Sequence, residues 1–302
     1  MIQGKWFTFI CCPVCKGELS YRRGSNKKNL HCEKCKKDYL VIDDIPILLT
    51  DFKRDNNLHY EGQIKYFDKA YKNDLIELWQ KTYNQRIFQI FNSDKHKRNR
   101  LFLDIGVGGT GYTVIDAAKR GFWALGCDLS LVGIQKAKYL AKKNNVSEKT
   151  FWVVCDAEAL PFTNHTFDYI AANAILEHLP HDTKALKEID RVATHQADAF
   201  ITTPLKYKYI WPFFIPLNYI HDKKIGHLRR YDENIFRKKL KATSQFRIVK
   251  IFYTGHLVKT ILFILSQVFR THAFDEFAEK ADSLTLSKKY GANNISIHIR
   301  NY

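Results

Sequence analysis

The sequence predicts an α/β fold: a mostly parallel, doubly wound sheet of seven strands, one of them antiparallel, preceded by a small metal-clasped ribbon. Three observations carry this. Short apolar runs alternate with helical-period segments through the middle of the chain, as in a parallel sheet covered by helices. The first run, Leu101–Ile105, passes into Gly106, Gly108, Gly109 and Gly111, where a tight turn lets backbone approach a ligand closely. Two Cys-x-x-Cys pairs lie near the N-terminus. A chain of 302 residues has room for one enzyme-sized domain and an appendage. Its 45% hydrophobic and 26% charged residues exclude a disordered polymer.

Residues 1–50 read as the ribbon. Cys12-Pro-Val-Cys15 and Cys32-Glu-Lys-Cys35 can each sit on one tight knuckle. Two facing knuckles supply the four sulfurs of a tetrahedral Zn²⁺ site. Disulfides need an oxidising compartment, and no secretory signal opens the chain. No βαβ context supports a redox role. Cys11 is the spare thiol, and Leu30–Leu49 alternates enough for short strands. So short a segment buries little core, so the metal supplies its folding energy. The phrases Cys12–Leu19, Leu30–Cys35 and Tyr39–Leu49 resemble the small zinc-ribbon family that activates methyltransferases as a separate subunit, over residues 9–49. That family ends in Tyr-Pro-Val-x-Asp-Gly-Ile-Pro; here Leu40 and Asp44 replace its Pro and Gly. The resemblance implies structural zinc.

Residues 51–98 form a connector or cap. Asp51–Leu58 is a polar loop, and Tyr60–Phe91 carries apolar residues at helical spacing, giving one or two amphipathic helices. The basic run Asp94–Arg100 is a solvated turn.

Residues 99–302 hold the sheet. A helix over Tyr112–Arg120 stops at Gly121; the second strand, Phe122–Cys127, ends in Asp128. Ser130 caps a helix over Leu131–Lys143. A third strand, Phe151–Val154, leads to Cys155 and Asp156, and Phe167–Asn173 is the fourth. Phe200–Thr203, Phe246–Tyr253 and Asn294–Arg300 follow, the last one antiparallel, with insertions at about 205–231 and 256–292. Gly106-x-Gly108-x-x-Gly111 alone is a weak signal that also matches the dinucleotide fingerprint of a nicotinamide-dependent oxidoreductase. Asp104 two residues before it, Asp128 closing the second strand and Asp156-Ala157 closing the third instead describe an adenosine site without a pyrophosphate.

Five phrases in order, Leu103–Gly111, Gly126–Ser130, Asp156–Phe162, Thr166–Ile170 and Leu176–Pro180, resemble the class I S-adenosylmethionine-dependent methyltransferases of small-molecule type, over about residues 100–204. The resemblance implies a Rossmann-like seven-stranded methyltransferase sheet and S-adenosylmethionine as cofactor. It places Gly106 and Gly108 at the methionine end, Asp128 on the ribose, Leu129 on adenine, Asp156-Ala157 at the adenine amino group, and Asn173 near the sulfonium, with Asp104 and Gly111 also among the cofactor-binding residues. Thr110 holds the place of the family's third glycine, so the loop is one residue longer.

Methyl transfer from a sulfonium needs positioning most of all, and a base only when the acceptor must lose a proton. His178 is the leading candidate base, against a reading as a histidine shaping the pocket floor; His181, His221 and His227 follow. Cys127 and Cys155 read as core. Arg229 and Arg230 either grip an anionic group of the acceptor or brace the aromatic insertion. Leu257–Phe269 is a lid helix, or lies in a membrane interface.

The net charge of +17 concentrates at the two ends and favours anionic partners. A small-molecule or lipid-linked acceptor is the leading expectation. RNA is the alternative, although the fourth-strand phrase Ala172-Asn-Ala-Ile175 lacks the amino-methylation signature; a non-catalytic scaffold is another. No stretch is long and apolar enough for a transmembrane span. The expected location is cytoplasmic, with peripheral membrane contact open.

Overall fold

The computed structural model describes residues 4–21, 29–50, 57–71, 78–91, 100–269 and 273–302. The chain opens with helix α1 (Gly4–Phe7) and strands β1 (Leu19–Tyr21), β2 (Asn29–Cys32), β3 (Asp38–Ile42) and β4 (Ile45–Leu48). Two helices follow, α2 (Asn57–Ala70) and α3 (Leu78–Phe91). The alternating part runs β5 (Leu101–Ile105), α4 (Tyr112–Lys119), β6 (Trp123–Asp128), α5 (Leu131–Lys143), β7 (Thr150–Cys155), β8 (Phe167–Asn173), α6 (Asp182–Val192) and β9 (Ala193–Pro204). Then come α7 (Ile215–Ile225), α8 (Glu233–Thr243), β10 (Phe246–Thr254), α9 (Leu257–Phe269), α10 (Asp275–Ser283) and β11 (Asn294–Asn301).

All strands join in one sheet of order β1-β2-β3-β4-β7-β6-β5-β8-β9-β11-β10. Among the described residues this sheet has eleven strands, because the N-terminal segment joins the seven expected. The run from β7 to β10 supplies seven, with β11 alone reversed between β9 and β10. The N-terminal segment adds four, because β4 pairs parallel to β7, Ile47 opposite Val154 and Leu48 opposite Cys155. A correction concerns β9, which starts at Ala193 instead of Phe200. Its first half is polar, yet Asp198 is buried there by bonds from His298 Nε2 (2.6 Å) and Arg300 Nε (2.9 Å), a pairing that period alone does not reveal. Helix α2 starts at Asn57, inside the expected loop; residues 51–56 and 94–99 lie outside the described residues.

Alternation along the strands sends side chains to two cores. On one face Phe102, Ala124, Trp152 and Val154 pack with Ile87 and Phe88 of α3, Val114 of α4 and Ala137 of α5. On the other, Leu103, Leu125 and Val153 pack with Leu186 of α6 and Phe236 of α8. Cys127 and Cys155 are buried in this second core, as expected. Trp6 joins it, stacked on Phe151 at 5.4 Å between ring centroids.

Helix ends follow local chemistry. Ser130 Oγ accepts from Gly133 N (2.8 Å), and Asp232 accepts from Ile235 N (3.0 Å) to start α8. Gly121, at φ 102°, takes the chain out of α4.

Candidate functional site

Strands β6 and β7 are hydrogen-bonded neighbours, with Asp128 opposite Val154, so Asp128 and Asp156 stand together at the carboxyl end of the sheet. Asp128 accepts from Gly108 N (2.9 Å) and Ser130 N (2.9 Å). Asp156 accepts from Glu158 N (2.8 Å) and caps the short turn that Ala157 begins. Burial raises both carboxyls, Asp156 to about 6. Asp104, 3% exposed at the end of β5, is raised to about 8, also by burial, against a lowering bond from Thr113. Asn173 ends β8, whose Ala172 lies opposite Ile105.

The glycine turn is built for close approach. Gly106 and Gly108 hold φ of 73° and 65°, and a Cβ on Gly106 would meet Ile175 Cδ1 at 2.8 Å. Gly111 plays a different part from the one expected. A Cβ there would strike Ala137 and Trp152 at 2.8 Å, so it seats the turn against α5 and the β7 side chains. Gly109, absent from the expected set, would meet Tyr71 Cβ at 2.7 Å.

Tyr71, just past α2, occupies the hollow beside this turn. Its ring lies against Gly108, Gly109 and Gly133, and its hydroxyl donates to Asp128 Oδ2 at 3.5 Å. Tyr60, from the same helix about three turns earlier, hydrogen-bonds to the Asp156–Glu158 pair. Helix α2 thus lays a phenol on each strand-tip aspartate. Its other contacts cross the site: Asp68 to Ser130 Oγ, Phe67 against the His178 ring (5.5 Å), His59 Nε2 to His178 O (2.8 Å). One usable signal for this role is present in the sequence, the spacing of Tyr60 and Tyr71 by about three helical turns.

His178 is buried, and burial followed by the neighbouring His227 lowers it to about 3, so it is neutral near pH 7 and a weak base. His181 lies half-exposed against Glu158 (3.0 Å). His227 is the better oriented: Asp222 Oδ1 holds its Nδ1 at 2.8 Å, and its ring meets His178 edge-on at 4.7 Å. His221 lies further out, 6.1 Å from His227. The two arginines brace the insertion. Arg229 donates to Leu179 O and Pro180 O; Arg230 donates to Asp222 and Leu205 O. Against burial, the bond from His227, followed by those from Arg230 and Tyr207, holds Asp222 well below the ordinary carboxylate range. Outside them, Lys208, Tyr219, Lys223 and His227 help line a cleft of about 500 Å³.

The four expected zinc ligands converge. Cys12 Sγ lies 3.5 Å from Cys35 Sγ, and Cys15 Sγ 3.4 Å from Cys32 Sγ. The knuckles are near-copies. Lys16 N donates to Cys12 O (2.9 Å) and Lys36 N to Cys32 O (2.8 Å), both lysines at positive φ. Cys11 stays outside the cluster and bonds through its amide to Pro161 O; burial raises its thiol to about 11.

The methyltransferase-domain family matches residues 103–201. Over 143 residues the chain is 27% identical to the tocopherol O-methyltransferase of Arabidopsis thaliana, covering 47% of this chain and 40% of that enzyme. It therefore spans less than half the length of that curated relative. A 62-residue stretch, 20% of the chain, is 44% identical to the whole of a UPF0434 protein of Dechloromonas aromatica (strain RCB). In fold, the chain is similar to Haemonchus contortus phosphoethanolamine N-methyltransferase 2, solved with phosphomonomethylethanolamine and S-adenosylhomocysteine, with a TM-score of 0.54 at 17% identity over 83% of this chain and 59% of that one. Residues 103–201 thus match a methyltransferase domain, and through the 62-residue stretch the chain belongs to the family of the UPF0434 proteins.

Proposed function

We propose that the chain transfers a methyl group from S-adenosylmethionine to a small-molecule or lipid-linked acceptor. The observation that carries this is the pair of carboxylates, Asp128 and Asp156, on neighbouring strand tips beside a positive-φ glycine turn. Asp128 can accept from a hydroxyl at this position, as it does from Tyr71. When bound, the cofactor supplies an activated methyl group on a sulfonium. In this reading Asp128 accepts from the ribose while Leu129 flanks the adenine. Asp156 and Ala157 meet the base, and Asp104, Gly106 and Gly108 surround the methionine end. Gly111 supports the turn from behind, and Asn173 faces the reacting centre. For the nucleoside to enter, the Tyr71 ring has to leave the hollow.

The acceptor class follows from the relatives and the surface. The Arabidopsis enzyme is named for tocopherol, a small molecule. The insertion at 205–231 exposes Trp211, Phe213, Leu217 and Ile220, and the one at 256–292 exposes Val268 and Phe277. Apolar side chains beside lysines suit a lipid-borne acceptor and peripheral contact with an anionic membrane. No helix among the described residues is long and apolar enough to cross a membrane. Residues 1–50 are read as a ribbon held by Zn²⁺ on Cys12, Cys15, Cys32 and Cys35, residues 51–98 as a cap over the cofactor site, and 99–302 as the methyltransferase domain.

One observation favours a second reading, a methyltransferase fold acting as a scaffold: Tyr71 fills the hollow. Titration with S-adenosylhomocysteine separates the two. Calorimetric binding that is lost in Asp128→Ala supports the enzyme. No binding at millimolar ligand supports the scaffold. Labelled-methyl transfer into lipid, small-molecule and RNA fractions then identifies the acceptor class, and label entering RNA alone would overturn the small-molecule assignment.

A further inference from the structure

Glu177 and His178 stand side by side in the short turn after β8, and His227 reaches them from the segment after α7. One ligand atom from each lies within 4.8 Å of the others. Glu177 is fully buried, and neither carboxylate oxygen has a hydrogen-bond partner among the described residues; His178 Nδ1 is also buried without one. His227 Nε2 is no substitute, standing 3.7 Å from Glu177 Oε1, beyond hydrogen-bonding distance.

Tautomer logic sharpens the point. Asp222 Oδ1 takes the proton of His227 Nδ1 at 2.8 Å, so in the neutral ring Nε2 carries a lone pair, and that lone pair faces Glu177. A lone-pair nitrogen of His227 and the unpartnered carboxyl of Glu177 lie close together, with a ring nitrogen of His178 within reach of both. Burying such groups without partners is strongly unfavourable. A cation at their centre satisfies all three. Two imidazoles and a carboxylate are the donor set of a divalent first-row transition metal, with three protein ligands leaving a position open. Asp222 behind His227 is the outer carboxylate that fixes a metal-bound imidazole.

We propose that Glu177, His178 and His227 form a divalent transition-metal site, separate from the four-cysteine cluster and beside the face of α2 that carries Phe67. The inference stands whether or not the chain transfers methyl groups, because it is read by metal content. The full chain is stripped with a chelator and reloaded with Zn²⁺, and bound metal is counted by mass spectrometry. A second sample is reloaded with Co²⁺ after one equivalent of Zn²⁺. Two equivalents per chain are expected. Glu177→Gln and His227→Ala should each lose one equivalent, with affinity falling by more than about 100-fold, above the 10–100-fold range for losing an outer partner. Cys15→Ser should remove only the other. The Glu177-type site should give weak visible Co²⁺ bands without the near-ultraviolet thiolate charge transfer of the cysteine cluster. Should Glu177→Gln fail to fold by circular dichroism, His178→Ala reads the same loss. Metal content of one equivalent or less that Glu177→Gln and His227→Ala leave unchanged overturns the proposal.

Discussion

Asp104 offers a prediction that can be worked from the structure. Its carboxyl is buried at the end of β5 and raised from 3.8 to about 8 by burial. A carboxyl raised in the folded state binds its proton more tightly there than in the unfolded chain. Stability is therefore full below pH 3.8 and falls as pH rises towards about 8. At pH 7 the loss comes to about 4 kcal/mol, from roughly three pH units at about 1.4 kcal/mol each. Asp104→Asn keeps the shape and an acceptor for Thr113 but cannot ionise. It should stabilise the cofactor-free protein by about 4 kcal/mol at pH 7 and by only about 1 kcal/mol at pH 4.5. Urea unfolding followed by far-ultraviolet circular dichroism at the two pH values measures both. The same variant should weaken S-adenosylhomocysteine binding if the carboxylate meets the ligand's ammonium group. Equal stabilisation at both pH values, or none at pH 7, would refute the reasoning, since either result means that the desolvated charge is not what costs stability.

Asp128→Ala removes an acceptor that also holds Gly108 N and Ser130 N; calorimetry should show S-adenosylhomocysteine binding weakened by about 100-fold, the scale of one or two hydrogen bonds to a charged group. Asp156→Ala should lose about 10-fold or more by the same measure, and unchanged affinity would remove Asp156 from the site. Chelation of zinc, or Cys32→Ser, should unfold the first fifty residues while most helical signal persists; the fluorescence of Trp6, stacked on Phe151, reports it. Replacing Trp211 and Phe213 with alanine should abolish binding to anionic vesicles, and binding that is unchanged ends the membrane reading.

Much of this architecture could be read from local sequence. The strand β8 and the helix α5 lie where the sequence pattern put them, because β8 is a short, nearly continuous apolar run and α5 follows a serine cap. The four clustered cysteines were legible because two knuckles repeat one geometry. What was hidden depends on partners distant in sequence. The polar half of β9 is a strand only because Asp198 meets His298 and Arg300 across about a hundred residues. The pairing of β4 with β7 joins segments that no local pattern links. Helix α2 reads as an ordinary amphipathic helix. Its bearing on the site comes from Tyr60 and Tyr71 reaching aspartates that arrive much later in the chain. Glu177 lies inside the phrase Leu176–Pro180, yet nothing in a sequence announces that a carboxylate will be buried without a partner.

The parallel pairing of β4 with β7 has a consequence for how the chain can be divided. A strand on the rim of a sheet offers its free amides and carbonyls to any other extended chain, a standing invitation to aggregate. Here the N-terminal strands close that rim, with Lys16 bound to Glu188 at 2.7 Å helping to hold them in place. A fragment that begins after residue 50 would bare β7 together with the apolar bed of Trp6 and Ile10, and would be expected to clump. Shortened versions of this protein should keep the first fifty residues even when only the cofactor chemistry is of interest.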